Sequence, residues 1–189
     1  HERQRVKAYL ATHNCYGVDL NPTAVDLART SLWLNTIHRG SKCPWFGLRL
    51  AVGNSLVGAT PELLEKGIPD EAFDPIEGDD KAIAQRYKRS NRSERKSGAT
   101  TLFGALTSSL MPSAEGLVGA SADLQDIADD TLEGIQRKQE AFKAFRTSQA
   151  YRHASLVADI WCAAFFWPKT LGQPEPLTEG PFKAFVAEA

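Results

Sequence analysis

Two polar residues, Asp19 and Asn54, stand at the ends of the apolar stretches 15–20 and 48–52. A carboxylate presents two acceptor oxygens and can receive both hydroxyls of a ribose, whereas an asparagine amide offers a donor and an acceptor. Ligands of parallel α/β sheets bind outside the carboxyl ends of the strands. The pattern therefore predicts a site for a nucleotide-like ligand, with the alternative that Asp19 only caps the helix that follows it.

The segment between the two stretches has the features of a helix that crosses between parallel strands. Asn21 can cap a helix, and Pro22 suits the first turn because its missing N–H would have no partner there. Apolar residues such as Val25 and Leu32 then recur with helical spacing through residue 35. A strand, a helix and a strand of these lengths predict a βαβ unit with a right-handed crossover.

The first strand of this unit is predicted to have one edge without a neighbour, because residues 6–10 have the pattern of a helix. The unpaired N–H and C=O groups of such an edge attract another strand or need cover. We expect the helices at the C-terminal end of the chain to cover it, or a second copy of the chain to pair with it as a homodimer.

The chain divides into three zones, 1–59 with the βαβ unit, 60–120 as a polar loop or insert, and 121–189 as a helical region. Within the last zone, helices are predicted over about 121–145, with a break at 129–131, and over 148–167, where Pro168 ends the second. The short joint between them predicts an antiparallel helical hairpin. Residues 102–119 are predicted to be a linker or an irregular crossing loop, and residues 181–186 a last helical turn. The fold class expected is α/β and helix-rich.

A basic segment, residues 81–96, carries seven basic residues and a single acid. Its serine and asparagine residues predict a mobile loop with one helical turn near 83–87. Four of its side chains are candidates for contact with DNA phosphates: Lys88, Arg89, Arg92 and Arg95. The alternative is a charge run that is simply solvated.

Composition restricts the class of protein further. The chain is 42% hydrophobic and 24% charged, with a net charge of -1, so it does not attract nucleic acid as a whole. No run of about 18 apolar residues occurs, and no membrane span is expected. Three widely spaced cysteines favour reduced thiols and a cytoplasmic setting. His13, Cys15, His38 and Cys43 lack the usual spacing of zinc ligands, so no metal is expected.

Several blocks of the sequence resemble one family of adenine-specific DNA methyltransferases. Residues 16–22, YGVDLNP, are similar to one block of the family, and residues 48–58, LRLAVGNSLVG, resemble the next. Residues 156–168 are similar to a segment of its longer members. The family includes the methylase halves of type II restriction–methylation fusions and the methylases of the BREX and DISARM phage-defence systems.

The resemblance implies a partial class I fold, Rossmann-like, that binds S-adenosyl-L-methionine. Asp19 would bind the ribose hydroxyls of the cofactor, and Leu20 would pack on its adenine ring. Asn54 takes the place where many members carry an aspartate that faces the adenine amino group, and Ser55 and Leu56 would line the same edge.

Two motifs of the family do not occur in the chain. The Gly-rich loop that cradles the methionine end of the cofactor would precede His1. The catalytic Asn-Pro-Pro-aromatic tetrapeptide, which holds the flipped adenine, has only a poor counterpart at residues 73–76, FDPI, which we interpret as a loop. We therefore expect a piece of a larger restriction or phage-defence enzyme that is inactive alone and works with the remainder of the methyltransferase chain.

Two other classes of protein remain open. A fragment of a nucleotide- or NAD-binding oxidoreductase would also place an acid after a strand, with a G-x-G-x-x-G motif about 20 residues upstream. The helical region 121–189 could instead be an interaction module without enzymatic activity, inserted in a methylase. Its aromatic residues Trp161, Phe165, Phe166 and Trp167 have helical spacing, which favours core packing over a platform for a base.

Overall fold

The computed structural model of the chain describes residues 2–40, 44–98, 114–128 and 131–187. A small parallel sheet and a majority of helices make it a helix-rich α/β structure. The elements are α1 Glu2–His13, β1 Gly17–Asp19, α2 Pro22–Thr36, β2 Leu50–Val52, α3 Pro61–Glu65, a 3₁₀ helix Asp70–Phe73, α4 Lys81–Gly98, α5 Ala114–Asp126, α6 Leu132–Thr147, α7 Gln149–Phe166 and α8 Glu179–Ala187.

The chain forms two compact units, and each combines two stretches of sequence. Unit 1 consists of His1–Val57 and Val118–Ser148, and unit 2 consists of Gly58–Leu117 and Gln149–Ala189. Unit 1 therefore contains the βαβ segment, and unit 2 contains the basic segment. In the parts of the chain that the structure describes, no helix is long and apolar enough to cross a membrane.

The predicted βαβ unit is confirmed in unit 1. β1 and β2 are parallel, with Gly17 opposite Leu50 and Asp19 opposite Val52. The strands are shorter than the apolar stretches that predicted them. α2 begins at Pro22, as expected, and the side chain of Asn21 accepts a 2.9 Å hydrogen bond from the Thr23 N–H. Local capping chemistry therefore fixes the point at which the chain leaves β1.

α2 covers one face of the two-stranded sheet. The small core beneath it consists of Ala11, Val25, Phe46 and Leu50. Arg29 reaches back from α2 and donates a 2.7 Å hydrogen bond to the carbonyl oxygen of Leu50.

The other face of the sheet carries Val18, which is 47% exposed, and Ala51, which is also exposed. Parallel sheets are normally covered on both faces. The described residues of unit 1 thus leave exposed an apolar surface that such sheets usually bury.

Unit 2 has the larger core. It packs the 3₁₀ helix against α7 and α8, and its buried members are Ile68, Ala72, Phe73, Val157, Trp161, Ala164, Phe182 and Val186. Trp161 donates from its indole to the carbonyl oxygen of Gly67 at 2.9 Å. The prediction of core packing is confirmed for Trp161, which lies in this core, and for Phe165, which packs against it. It is wrong for Phe166, which is 60% exposed.

The prediction that the basic segment is a mobile loop was wrong, because it forms the 18-residue helix α4. Asp80 caps this helix, with its carboxylate accepting hydrogen bonds from the N–H groups of Ala82 and Ile83. Most of the segment consists of good helix formers such as Lys, Arg, Ala and Gln. Ala84 and Asn91, two turns apart, are both fully buried, so tertiary packing fixes the helix as well.

Two further boundaries differ from expectation. α5 begins at Ala114, inside the stretch 102–119 that was predicted to be a linker, while residues 99–113 lie outside the described part of the chain. The last helix is longer than one turn, since α8 spans Glu179–Ala187. Of the predicted break at 129–131, residues 129 and 130 also lie outside the described part, and Thr131 caps α6.

The two long C-terminal helices are confirmed as elements, since α6 and α7 adjoin at Ser148. They belong to different units. Their packing as a hairpin, the cover of the free strand edge and the homodimer therefore stay predictions.

Candidate functional site

The ends of the two strands bring the predicted site residues to one edge of the sheet. The carbonyl oxygen of Asp19 accepts a 2.9 Å hydrogen bond from the N–H of Gly53. Gly53 immediately precedes Asn54, so the chain leaves β2 directly beside the point at which it leaves β1. Asp19 and Asn54 are thus neighbours at the carboxyl ends of parallel strands, where α/β sheets bind their ligands.

The carboxylate of Asp19 is only partly used by the protein itself. Its Oδ1 accepts a 2.8 Å hydrogen bond from the N–H of Asn21, which tightens the turn into α2. Asn21, not Asp19, is the residue that caps the helix. Within residues 2–40, 44–98, 114–128 and 131–187, Oδ2 of Asp19 has no partner, and the side chain is exposed. One carboxylate oxygen therefore stays open for a ligand.

The side chain of Asn54 shapes the turn that follows β2. Its Oδ1 accepts hydrogen bonds from the N–H of Leu56 at 2.8 Å and from the N–H of Val57 at 3.2 Å. This geometry orients the amide, because backbone N–H groups only donate and the atom that faces them must be the oxygen. The residue is exposed, and its Nδ2 has no partner in the described part of the chain.

Apolar side chains flank these two polar groups. Leu20 is 69% exposed and Leu56 is 93% exposed, and Ser55 between the polar and apolar groups is exposed as well. Such leucines beside open hydrogen-bonding groups can cover the face of a flat ring. The edge can therefore receive a ligand with adjacent hydroxyls and an aromatic base.

The four basic candidates on α4 differ in how they are engaged. Lys88 forms an ion pair with Asp74 at 2.5 Å, and Arg92 forms one with Asp70 at 2.8 Å. Arg95 lies 3.9 Å from the same Asp70. Arg89 is exposed and has no ion pair among the described residues. Three of the four side chains thus lie close to carboxylates of unit 2, and Arg89 is exposed without such a partner in the described part of the chain.

Asp70 is the acid that organises this part of α4. Its side chain is 14% exposed and also accepts a 2.9 Å hydrogen bond from Asn91. Burial raises the pKa of this carboxyl, but the hydrogen bonds from Arg92 and Asn91 and the charges of Arg92 and Arg95 outweigh it and lower the pKa. The sequence carries no signal for these pairs, because Asp70 lies 22 residues before Arg92.

In the segment 73–76, Phe73 is fully buried in the core of unit 2, and Asp74 is the partner of Lys88. Burial and the charge of Asp159 raise the pKa of the Cys162 thiol. No group of three or more His, Cys, Asp or Glu residues that could hold a metal occurs in the described ranges, and Cys43 lies outside them.

Unit 1 also contains a cavity of about 320 Å³ at the amino end of β2, the end opposite Asn54. It is lined by Thr12, His13, Trp45, Leu48, Arg49, Gln125, Asp126 and Lys138. Arg49 is held in place by a 2.7 Å hydrogen bond to the carbonyl oxygen of His13 and by the ring of Tyr16. Sequence reasoning missed this cavity, because its lining comes from parts of the chain that are distant in sequence.

Comparison of the chain with protein-family models, with curated proteins and with solved structures finds no match.

Proposed function

We propose that the edge formed by Asp19 and Asn54 is part of the S-adenosyl-L-methionine pocket of a DNA adenine-N6 methyltransferase from a restriction–modification or phage-defence system. The observation that carries the proposal is the open carboxylate oxygen of Asp19 at the carboxyl end of a parallel strand. Blocks 16–22 and 48–58, which resemble this family, are the same segments that form the edge.

The residues present fit the cofactor. The Asp19 carboxylate can accept both ribose hydroxyls, because Oδ2 is open and Oδ1 keeps a second lone pair beside its bond to Asn21. Leu20 and Leu56 would enclose the adenine ring, with Ser55 on the same edge. When bound, the cofactor supplies the methyl group, and this chain's contribution is to bind and orient it. The groups that act on the target base would come from elsewhere in the full-length protein.

The exposed apolar face of the sheet supports the same proposal. A class I methyltransferase sheet has more strands than β1 and β2 and is covered by helices on both faces. Val18 and Ala51 lie on a face that has no such cover from the described residues of unit 1. Additional strands and helices of a methyltransferase domain would bury this surface.

DNA contact is the second part of the proposal. Arg89 lies on the exposed side of α4 without a carboxylate partner in the described part of the chain, so it can reach a phosphate. Lys88, Arg92 and Arg95 would have to share their charge between Asp70 or Asp74 and the DNA.

The variant Asp19→Asn tests the cofactor site in the full-length protein. Asparagine keeps the oxygen that accepts from Asn21 but replaces the open carboxylate oxygen by a donor. A hydrogen bond to a charged group contributes about 1.5–3 kcal/mol, and about 1.4 kcal/mol corresponds to a tenfold change in affinity. Calorimetry with S-adenosyl-L-homocysteine should therefore show binding about 10- to 100-fold weaker than in the unaltered protein.

The matched control is Asp26→Asn, which removes an exposed carboxylate from α2 of the same unit while keeping an acceptor for Arg29. This variant should bind the cofactor product with unchanged affinity. Equal affinities in the Asp19 variant and the unaltered protein would contradict the ribose assignment. Binding of NAD in preference to S-adenosyl-L-homocysteine, with the same dependence on Asp19, would favour the oxidoreductase alternative.

A further inference from the structure

The turn after β2 fixes the hydrogen-bonding polarity of Asn54. A carbonyl oxygen has two lone pairs, and both are used by the N–H groups of Leu56 and Val57, at 2.8 and 3.2 Å. Rotation of the amide by half a turn would place its NH₂ group against two other donors. Asn54 therefore offers a ligand its NH₂ donor and no acceptor.

The Watson–Crick edge of adenine carries one donor, the 6-amino group, and one acceptor, the ring nitrogen N1. A carboxylate after β2 could accept from the amino group. Asn54 cannot, because its acceptor is already saturated by its own turn. Resting on the proposed function, we infer that Asn54 determines base specificity by donating from Nδ2 to N1 of the cofactor's adenine, and that it does not read the 6-amino group.

The position of Asn54 suits this role. The hydrogen bond from the Gly53 N–H to the Asp19 carbonyl holds the two strand ends together, about 4.8 Å apart as in any sheet. Ribose at Asp19 and base beside Asn54 are then two parts of one nucleoside. Leu20 and Leu56 are exposed at the same edge and supply the apolar contacts for the ring.

This polarity makes a specific demand on the base. Hypoxanthine carries a hydrogen on N1, so its N1–H would face the NH₂ group of Asn54, donor against donor. A 1-deaza-adenine has no acceptor at that position. A purine without the 6-amino group keeps N1 unprotonated and loses nothing that Asn54 binds. Affinity should therefore follow the state of N1 and not the presence of the amino group.

Four ligands test the inference in the full-length protein by calorimetry. They are S-adenosyl-L-homocysteine, its 1-deaza analogue, its 6-desamino analogue and S-inosyl-L-homocysteine. We expect the first and third to bind equally, and the 1-deaza and inosyl compounds to bind about tenfold more weakly, the size of one unmet hydrogen bond. The Asn54→Asp variant keeps an acceptor for Leu56 and Val57 and adds a free carboxylate oxygen. This variant should reverse the order of affinities: the inosyl compound should no longer bind more weakly than the adenosyl compound, and the 6-desamino compound should bind more weakly than it.

Each outcome has a distinct meaning. Equal binding of the adenosyl and 1-deaza compounds by the unaltered protein, with loss of binding by the 6-desamino compound, overturns the inference. The proposed function survives that result if Asp19→Asn still weakens all four ligands. Failure of the unaltered protein to bind any of the four overturns the proposed function, and the inference falls with it. An Asn54→Asp variant that keeps the original order of affinities also overturns the inference.

Discussion

Lys169 is expected to make unit 2 unusually sensitive to the loss of one carboxylate. Its side chain is fully buried, and its Nζ lies 3.4 Å from Oδ2 of Asp79 and 3.2 Å from the carbonyl oxygen of Trp167. The Asp79 side chain is 4% exposed and also accepts from the backbone N–H groups of Lys169 at 2.9 Å and Ile76 at 3.1 Å. The pair thus joins the segment before α4 to the segment after α7.

Asp79→Asn removes the negative charge and leaves the ammonium group of Lys169 buried. Removal of one partner from a buried pair costs about 3–5 kcal/mol, and the 3.4 Å separation places this pair near the lower end. Lys169→Met should lower the free energy of unfolding by less than Asp79→Asn does, because the carboxylate of Asp79 keeps its two backbone donors. The double variant, with both substitutions, should be more stable than the sum of the two single losses implies, by about 0.5–3 kcal/mol.

The effect of pH on this pair follows from the pKa of Asp79. Burial raises the pKa, but the hydrogen bonds from the Lys169 and Ile76 amides and the charge of Lys169 outweigh it, so the pKa is lowered. The stabilisation is therefore complete above the pKa of an unfolded aspartate, about 3.9, and is lost as the pH falls through the lower folded-state value. The difference in free energy of unfolding between the unaltered protein and Asp79→Asn should therefore decrease in that acid range.

Urea unfolding of the purified chain, followed by far-ultraviolet circular dichroism at neutral and acid pH, measures these free energies. The control is Glu175→Gln, an acid of the same unit that pairs with Arg86 at 3.3 Å with both side chains largely exposed. Its loss should cost at most about 1 kcal/mol. The reasoning is refuted if Asp79→Asn costs no more than Glu175→Gln, or if the losses of the two single variants add in the double variant.

Two further predictions concern the parts of the proposed function that lie outside the cofactor edge. The isolated 189-residue chain should transfer no methyl group from labelled S-adenosyl-L-methionine to DNA, because the catalytic tetrapeptide does not occur in it; labelled DNA would show this prediction to be wrong. In the full-length protein, Arg89→Gln should lower the slope of log K against log salt for DNA binding by about 0.9 without changing stability. Arg92→Gln should instead lower the stability and leave the slope unchanged, since it breaks the ion pair with Asp70. Equal effects of the two variants on the slope would contradict this prediction.

The features that sequence reasoning predicted well are those encoded by adjacent residues. Asn21 and Pro22 mark the start of α2, and the apolar stretches on either side mark β1 and β2. Since a helix between two short strands leaves few other arrangements, the parallel pairing and the placement of Asp19 beside Asn54 could be predicted from sequence.

The features that it missed depend on partners far away in the chain. Asn91 was counted as a loop residue, yet it is fully buried and bonds to Ile68, Asp70 and the N–H of Glu179, which lies 88 residues later. No local sequence pattern predicts such contacts, so α4 was interpreted as a loop. The sequence also could not predict which group of the Asn54 amide stays available to a ligand, because that depends on where the backbone N–H groups of the following turn point.

The interleaving of the two units constrains how the chain folds and how it can be divided. The hydrogen bond from the N–H of Ile68 to the buried carboxylate of Glu179 closes a loop of 111 residues. The core around Phe73 therefore cannot form during synthesis until α7 and α8 have been made. Contacts between residues so distant in sequence also slow folding. No single contiguous stretch contains all of one unit without part of the other. A shortened chain that keeps the βαβ segment but ends before Glu179 would leave Ile68 without its partner and the core of unit 2 without α8.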